Sequence, residues 1–272
     1  MIPFTKVTLA ALTFLACIRV CAAQDLPAAS SEYGAFAFPS EDGRRLLANS
    51  AVRQPETLRV AICSGGRRIA LEFTATQQEG NSTTGRQAPS NFKNAAGHVM
   101  AVTQSTVRPD DACFLPASSL LNGSEGLTVI DATGRPGCSP ADLQRYAANR
   151  QRPVVHCWRL AGTGAGQLVA LVEFARQGNN ALASVVLADG ARLIFQDYPA
   201  EVKSPGGDLW RVDDGGTLSP ETFQVLFVLR RGGEFTLGLR WSGAEGDNLA
   251  LSVSESNQFK QVLNDYWYRS PL

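Results

Sequence analysis

The sequence has few residues suited to acid–base catalysis, because its 272 residues include only two histidines, His98 and His156. Histidine is the side chain that most readily gains and loses a proton near neutral pH, so this scarcity restricts the choice of a general base. No serine lies within a G-x-S-x-G motif, the nucleophile signature of α/β-hydrolases. The chain therefore has no catalytic motif that by itself predicts an enzyme.

Three further absences exclude classes of partner. Basic and acidic residues are equal in number, 25 of each, and the basic ones form no stripe, so nucleic acid is not a predicted partner. Beyond the N-terminal region no apolar run reaches the ~20 residues that a membrane-spanning helix needs. The alternating glycines at 162–166 precede a predicted strand, whereas a phosphate cradle precedes a helix. The sequence therefore predicts no cofactor, and this glycine run indicates a turn.

Residues 1–23 are predicted to be a secretory signal peptide. Lys6 precedes the apolar run Val7–Cys17, and small residues end the segment at Ala23. The run is too short to span a bilayer as a helix. A buried N-terminal helix and a lipoprotein modified at Cys17 are the alternatives, and both fit the pattern less well. We therefore expect the mature chain to be periplasmic or secreted.

Four cysteines remain after the predicted leader: Cys63, Cys113, Cys138 and Cys157. An even number of cysteines in an exported chain indicates disulfide bonds, here two, for which the sequence allows three connectivities. We favour Cys63–Cys113 with Cys138–Cys157, because sequential pairing closes the more local loops. No pair has the close C-x₂-C spacing typical of zinc sites, so no metal site is predicted.

Short apolar runs joined by turn residues predict a mainly β fold, an antiparallel sandwich or a barrel-like structure. Asp189-Gly190 stands between two apolar runs, which is a strong hairpin signal. Residues Glu234 to Trp241 alternate strictly between apolar and other side chains, which predicts a strand with one buried face. We expect two packed β modules, with residues 24–137 in the first, and a helix plus the second module in residues 138–272.

Two helices are predicted within this β framework. The mid-chain helix should begin after Ser139, which is a natural N-cap followed by Pro140, and should end near Arg150. A C-terminal helix is predicted because Phe259, Val262, Leu263 and Tyr266 have helical spacing. The apolar run from Phe223 to Leu229 is assigned to a strand, because it is short, branched and followed by glycines.

The stretch Thr74–Ala96 is long and polar and has no apolar period, so it predicts a mobile loop. Loops of this length are either functional or disordered. His98 follows the loop, and with Ser64 and Asp110 it would supply the residue types of a catalytic triad. Ser64-Gly65-Gly66 is better explained as a hairpin turn. His156 and Cys157 are neighbours on a predicted strand and face opposite sides, so they do not predict a nucleophile–base pair.

Two other features bear on ligand binding. The four tryptophans Trp158, Trp210, Trp241 and Trp267 could line a sugar-binding face, although Trp241 is in phase with core residues. The acidic run 213–216 lacks the spacing of an EF-hand and is interpreted as a turn. The leading hypothesis is a non-catalytic exported module that binds a protein or a glycan, and the alternative is a secreted hydrolase that uses His98.

Overall fold

The computed structural model describes residues 32–202 and 218–269, which form two β-sheets and two helices. The predicted signal peptide, Trp210 and the acidic run 213–216 lie outside these residues. The mainly β fold of barrel-like type is confirmed. The sheets are described first, because the candidate site lies against both of them.

The first sheet is a closed, six-stranded antiparallel barrel with the strand order β1-β2-β5-β4-β3-β6. Its strands are β1 (Gly34–Pro39), β2 (Arg45–Ala48), β3 (Val60–Cys63), β4 (Arg67–Gln77), β5 (Gly97–Val102) and β6 (Cys113–Pro116). Ala35 and Ala37 point into the barrel, whereas Phe36 and Phe38 point outward. Closure leaves the barrel no free strand edge.

The second sheet has ten strands in the order β7-β13-β14-β15-β16-β12-β11-β10-β9-β8. They are β7 (Glu125–Leu127), β8 (Val129–Asp131), β9 (Val154–Thr163), β10 (Leu168–Gln177), β11 (Asn180–Asp189), β12 (Arg192–Glu201), β13 (Phe223–Arg231), β14 (Glu234–Ser242), β15 (Gly246–Glu255) and β16 (Gln258–Tyr268). Only Thr128 separates the two end strands, β7 and β8, so the sheet curls until it nearly closes. Strands β7 and β8 belong to the second sheet although they precede residue 138. The division of the chain into two modules at that residue stays a prediction.

One apolar core joins the two sheets. The outward-facing Phe36 and Phe114 of the barrel pack against Phe227, Leu251 and Trp267 of the second sheet. The rings of Phe114 and Phe227 stack with their centroids 5.5 Å apart. Strands β13 to β15 consequently contain runs of consecutive buried residues, and β13 has side chains both in the core shared with the barrel and in the interior of the second sheet. This explains why β14 has two buried faces where the alternation predicted one.

The mid-chain helix is confirmed as α2 (Pro140–Arg150), after a short helix α1 (Ser118–Leu121). The Ser139 side chain caps α2 by accepting a hydrogen bond from the backbone N–H of Asp142, at 3.2 Å. Tyr146 of α2 is fully buried against Phe195, on the outer face of the second sheet. The helix therefore covers a sheet face that would otherwise be exposed.

The predicted C-terminal helix is wrong, because residues Gln258–Tyr268 form strand β16 and pair with β15. Val262 is an extra residue that opposes no partner in β15 and forms a bulge. The bulge lets Phe259 face the interior of the second sheet and Leu263 face the core shared with the barrel. The apolar positions therefore lose their period of two, and their spacing imitates that of a helix.

The predicted hairpins and the strand after residue 222 are present. The turn at Asp189-Gly190 joins β11 to β12, and the glycines at 232 and 233 join β13 to β14. Strand β12 continues through Pro199, which pairs with Leu182 of β11. Among the described residues, the opposite edge of β12 pairs with β16 only at Phe195–Gln258, and beyond that point these residues leave an open seam between the two strands.

The structure contains the disulfides Cys63–Cys113 and Cys138–Cys157, which is the sequential pairing. The first joins directly opposite residues of β3 and β6 inside the barrel, where both cysteines are fully buried. The second joins the chain just before α2 to strand β9. Two disulfides are consistent with an oxidising extracellular or periplasmic compartment.

Candidate functional site

The loop between β4 and β5, residues 78–96, lies over the outer face of the barrel. It is shorter than the predicted loop Thr74–Ala96, because β4 extends to Gln77. The side chain of Gln77 anchors its base by donating hydrogen bonds to the carbonyl oxygens of Phe92 (2.7 Å) and Ala95 (2.6 Å). The loop is therefore fastened at its base by a side chain of the preceding strand.

Two more amide side chains hold the loop in place. Asn91 accepts a hydrogen bond from the backbone N–H of Thr84 (3.1 Å) and donates one to the carbonyl of Arg86 (2.9 Å). The backbone N–H of Gln87 donates to the carbonyl of Tyr268 (3.1 Å), and the N–H of Tyr268 donates to Gln87 Oε1 (2.9 Å). The loop thus bridges the barrel and the end of β16 in the second sheet.

A cleft of about 280 Å³ opens beneath this loop. Its apolar floor is made by Phe36 and Phe38 of β1 and by Trp267 of β16. These residues lie in the core that joins the two sheets, so the floor is fixed by packing on its far side. The cleft is therefore built by three elements that are distant in sequence, and no local motif marks it.

The walls of the cleft are polar. Asn49 and Ser50 follow β2 on one side, and Glu79 and Thr83 belong to the loop on the other. Asp265 of β16 is the second carboxylate in the lining. No lysine, arginine or histidine is among the described residues that line this cleft. The cleft thus offers amide, hydroxyl and carboxylate groups above an apolar floor.

Asp265 is the most perturbed ionisable group of the cleft. Burial raises the pKa of its carboxyl above the ordinary value, and hydrogen bonds from the Trp267 indole and the Tyr266 backbone oppose this shift. The indole Nε1 of Trp267 donates to Asp265 Oδ2 at 3.3 Å, which is a long hydrogen bond. A desolvated carboxyl in a cleft is a typical feature of functional sites, because it leaves bonding capacity for a ligand.

This raised pKa gives an expected result on stability. In the folded protein the ionised form of Asp265 is disfavoured, so its charge destabilises the fold at neutral pH. We expect Asp265→Asn to raise the melting midpoint at pH 7 by about 2 °C in thermal unfolding. The gain should shrink as the pH falls through the folded-state pKa and disappear below the unfolded-state value, where both states are protonated.

Asp247→Asn is the matched control for this measurement. Asp247 is also recessed, but its carboxylate lies 2.9 Å from Arg269 Nε. Removing one partner of a recessed ion pair leaves the other uncompensated, so this change should lower the midpoint. A decrease for both variants would show that Asp265 stabilises the fold and would contradict the assignment of a desolvation penalty to it.

His98 is not part of a triad in this structure. Its Nδ1 lies 3.0 Å from Thr76 Oγ1 and its Nε2 lies 3.1 Å from the carbonyl oxygen of Val52. A carbonyl can only accept, so Nε2 carries the proton and Nδ1 accepts from the threonine hydroxyl. Ser64 lies at the opposite end of β4, roughly 30 Å away along the strand. The hydrolase hypothesis gains no support from these contacts.

Asp110 does not contact His98 in the described part of the chain either. Its carboxylate lies 4.0 Å from Arg108 Nε, and both of these side chains are largely exposed. His156 Nδ1 pairs with Glu173 Oε2 at 2.8 Å on the surface of the second sheet, and Cys157 is in a disulfide. The sequence-based candidates for catalysis therefore lie in separate places, and none lines the cleft.

The three described tryptophans do not form one sugar-binding face. Trp241 stacks on Phe223 with ring centroids 4.9 Å apart and packs against the interior of the second sheet, as its phase predicted. Trp158 packs against the same interior and stacks on His156. Trp267 lies in the core that joins the two sheets, where it forms part of the cleft floor.

The described residues show neither a metal cluster nor a helix that could span a membrane. They contain no group of three or more histidine, cysteine, aspartate or glutamate side chains placed to hold a metal ion. None of their helices has the length and apolar character required to cross a bilayer. Comparison of the chain with known protein families, with curated proteins and with solved structures finds no match.

Proposed function

We propose that this protein is an exported, non-catalytic binding module that holds a glycan in the cleft beneath the loop 78–96. The observation that carries the proposal is the composition of that cleft, which combines an apolar floor with walls of amide, hydroxyl and carboxylate groups. Sugar rings present the complementary surfaces, since hydroxyl groups surround apolar C–H faces. Small-ligand sites commonly combine an apolar lining with a few oriented polar groups.

The size and position of the cleft also favour a glycan. Its volume of about 280 Å³ is near the lower end of the roughly 300–1,000 Å³ typical of ligand pockets. It therefore suits a small unit, such as one end of an oligosaccharide. The walls come from strand β16, from the residues that follow β2 and from a loop that Gln77 and Asn91 anchor, so the loop needs little reorganisation before binding.

A protein partner has less support from the surface. Among the described residues the large apolar side chains that are exposed are Ile130, Val155 and Tyr266, on β8, β9 and β16. Specific protein interfaces usually have a contiguous apolar centre with enriched aromatic residues. Three side chains on three separate strands do not make such a centre.

Binding can be tested with a panel of soluble oligosaccharides titrated calorimetrically against the purified mature chain. We expect at least one of them to bind with a dissociation constant of about 1 mM or tighter, which corresponds to roughly 4 kcal/mol. Ser50→Trp should weaken that binding about tenfold or more, because Ser50 lines the cleft and an indole there would occupy it.

Ser90→Trp is the matched control, since Ser90 is an exposed serine of the same loop that lines a neighbouring cleft with Arg45 and Lys93. Its binding should equal that of the unmodified chain. Failure of every oligosaccharide to bind would overturn the proposal. Equal binding by Ser50→Trp and the unmodified chain would place the glycan elsewhere and would overturn it as well.

A further inference from the structure

We infer that the cleft selects an amino sugar, and that Asp265 and Glu79 bind the protonated amine of that sugar. This inference rests on the proposed glycan function and adds the chemical class of the ligand. It depends on the contrast between Asp265 and the buried aspartates Asp111 and Asp247, on the charge of the cleft lining and on the positions of the polar groups around it.

The two aspartates that are buried in the described residues both have cationic partners. Asp111, almost fully buried, pairs with both Arg67 and Arg108. Asp247 pairs with Arg269 at 2.9 Å. A buried carboxylate without a counter-charge is strongly disfavoured, which explains why arginines accompany these two aspartates.

Asp265 differs from them, because within residues 32–202 and 218–269 it forms no ion pair. Its side-chain partner is the neutral indole of Trp267, at the long distance of 3.3 Å. The carboxyl is nevertheless desolvated, and it lines an open cleft, whereas Asp111 and Asp247 are paired with arginine. The position normally filled by a cation of the protein is therefore open to a cation of a ligand.

The charge of the lining points in the same direction. Glu79 lines the cleft from the loop, and the described lining has no basic side chain, so its formal charge is negative. A protonated amine that enters this recess gains charge-assisted hydrogen bonds to carboxylate oxygens. These are stronger in a recess than in water, because the surroundings screen the charges less.

The remaining polar groups indicate that the amine belongs to a sugar. Asn49, Ser50 and Thr83 surround the cleft with neutral donors and acceptors, which suit hydroxyl groups and add no charge. Phe36, Phe38 and Trp267 are each exposed by 5% or less, so the floor offers a small apolar contact to the C–H groups of a ring. A hexosamine unit has all three features on one ring: an amine, several hydroxyls and an apolar face.

Three oligosaccharides with the same β-1,4 linkage test the inference, because they differ at C2 alone. Oligomers of glucosamine have an ammonium group there, chitin oligomers have an acetamide and cello-oligosaccharides have a hydroxyl. We expect calorimetry at pH 6 to show that the glucosamine oligomer binds about tenfold or more tightly than either neutral oligomer, as expected for a charge-assisted contact.

Variants assign the preference to named carboxylates. Asp265→Asn should lose most of the preference for the amine, and Glu79→Gln should lose part of it. Binding of the neutral oligomers should change by less than about threefold, since both amides keep an acceptor oxygen. Glu41→Gln, in the neighbouring cleft, is the control and should keep the full preference.

The outcomes separate this inference from the proposed function. Equal affinity for the three oligomers, or binding of neutral glycans alone, would overturn the amine assignment and leave the glycan function standing. An undiminished preference in Asp265→Asn would also overturn the assignment. If no glycan of the wider panel binds, the proposed function fails and the inference falls with it.

Discussion

Replacing Gly238 by alanine should destabilise the protein by about 3 kcal/mol, because the added methyl group has no space. A Cβ atom at this position would lie 2.3 Å from Cε1 of the Phe227 ring and 2.6 Å from its Cδ1 and Cζ. The ring cannot swing away easily, since Phe227 is fully buried and stacks on Phe114 of the barrel. The substitution therefore disturbs the contact that joins the two sheets.

Chemical denaturation followed by tryptophan fluorescence would measure this loss, with Gly164→Ala as the control. An added Cβ at Gly164 would lie 3.7 Å from the Cβ of Thr128, which is ordinary contact, so we expect a change within about 0.5 kcal/mol. If Gly238→Ala loses less than about 1 kcal/mol, the Phe227 ring must relocate at little cost. The stacked contact would then not be a rigid link between the sheets.

Removing the disulfide of the barrel should have the other large effect. The double variant Cys63→Ala/Cys113→Ala releases a cross-link between cysteines 50 residues apart, and the loop-closure model predicts a loss of about 4 kcal/mol. Both cysteines are fully buried in the barrel interior, so truncation to alanine also leaves a cavity. Loss of the folded barrel at 37 °C is the expected result.

The second disulfide provides an internal comparison. Cys138–Cys157 closes a loop with a sequence separation of 19, for which the same model gives about 3 kcal/mol. Its cysteines are less deeply buried, and their removal should leave a smaller cavity. Urea unfolding of the two double variants should rank the barrel disulfide as the more stabilising. The reverse ranking would contradict the loop-closure argument for this fold.

Local sequence signals predicted the elements whose cause is local. The hairpin at Asp189-Gly190 and the helix after Ser139 depend on turn and capping chemistry that a few neighbouring residues supply. The disulfide pairing could also be predicted from the sequence, because sequential pairing closes the shorter loops. The β-rich class followed from the many short apolar runs between turn residues.

Features that depend on distant contacts could not be predicted. The bulge at Val262 is explained by the packing of the barrel against one side of β16, which the sequence does not reveal. From the sequence alone, the apolar spacing resembles that of a helix. The loop 78–96 was recognisable as a candidate from its polarity and length. The residues that form the cleft together with this loop could not be predicted, because Asp265 and Trp267 come from the far end of the chain.

The histidine candidate shows a similar limit. His98 is a catalytic candidate in the sequence because it follows the loop, yet both of its ring nitrogens form hydrogen bonds, one with Thr76 and one with Val52. A sequence shows which side chains are able to transfer protons, but it does not show which of them are already engaged in holding strands together. The role of Asp265 could not be predicted from the sequence. The feature that distinguishes it is the lack of a cationic partner among the described residues, and only the folded structure shows this.

The open seam between β12 and β16 has a consequence for the behaviour of the protein at high concentration. Phe195 directs its N–H across the seam to the carbonyl of Asn257, and by alternation Pro199 occupies an equivalent outward position. Proline has no N–H, so a foreign strand that enters the seam would lack a hydrogen-bond donor there. Within the described residues, the seam is thereby a poor template for a second copy of the chain.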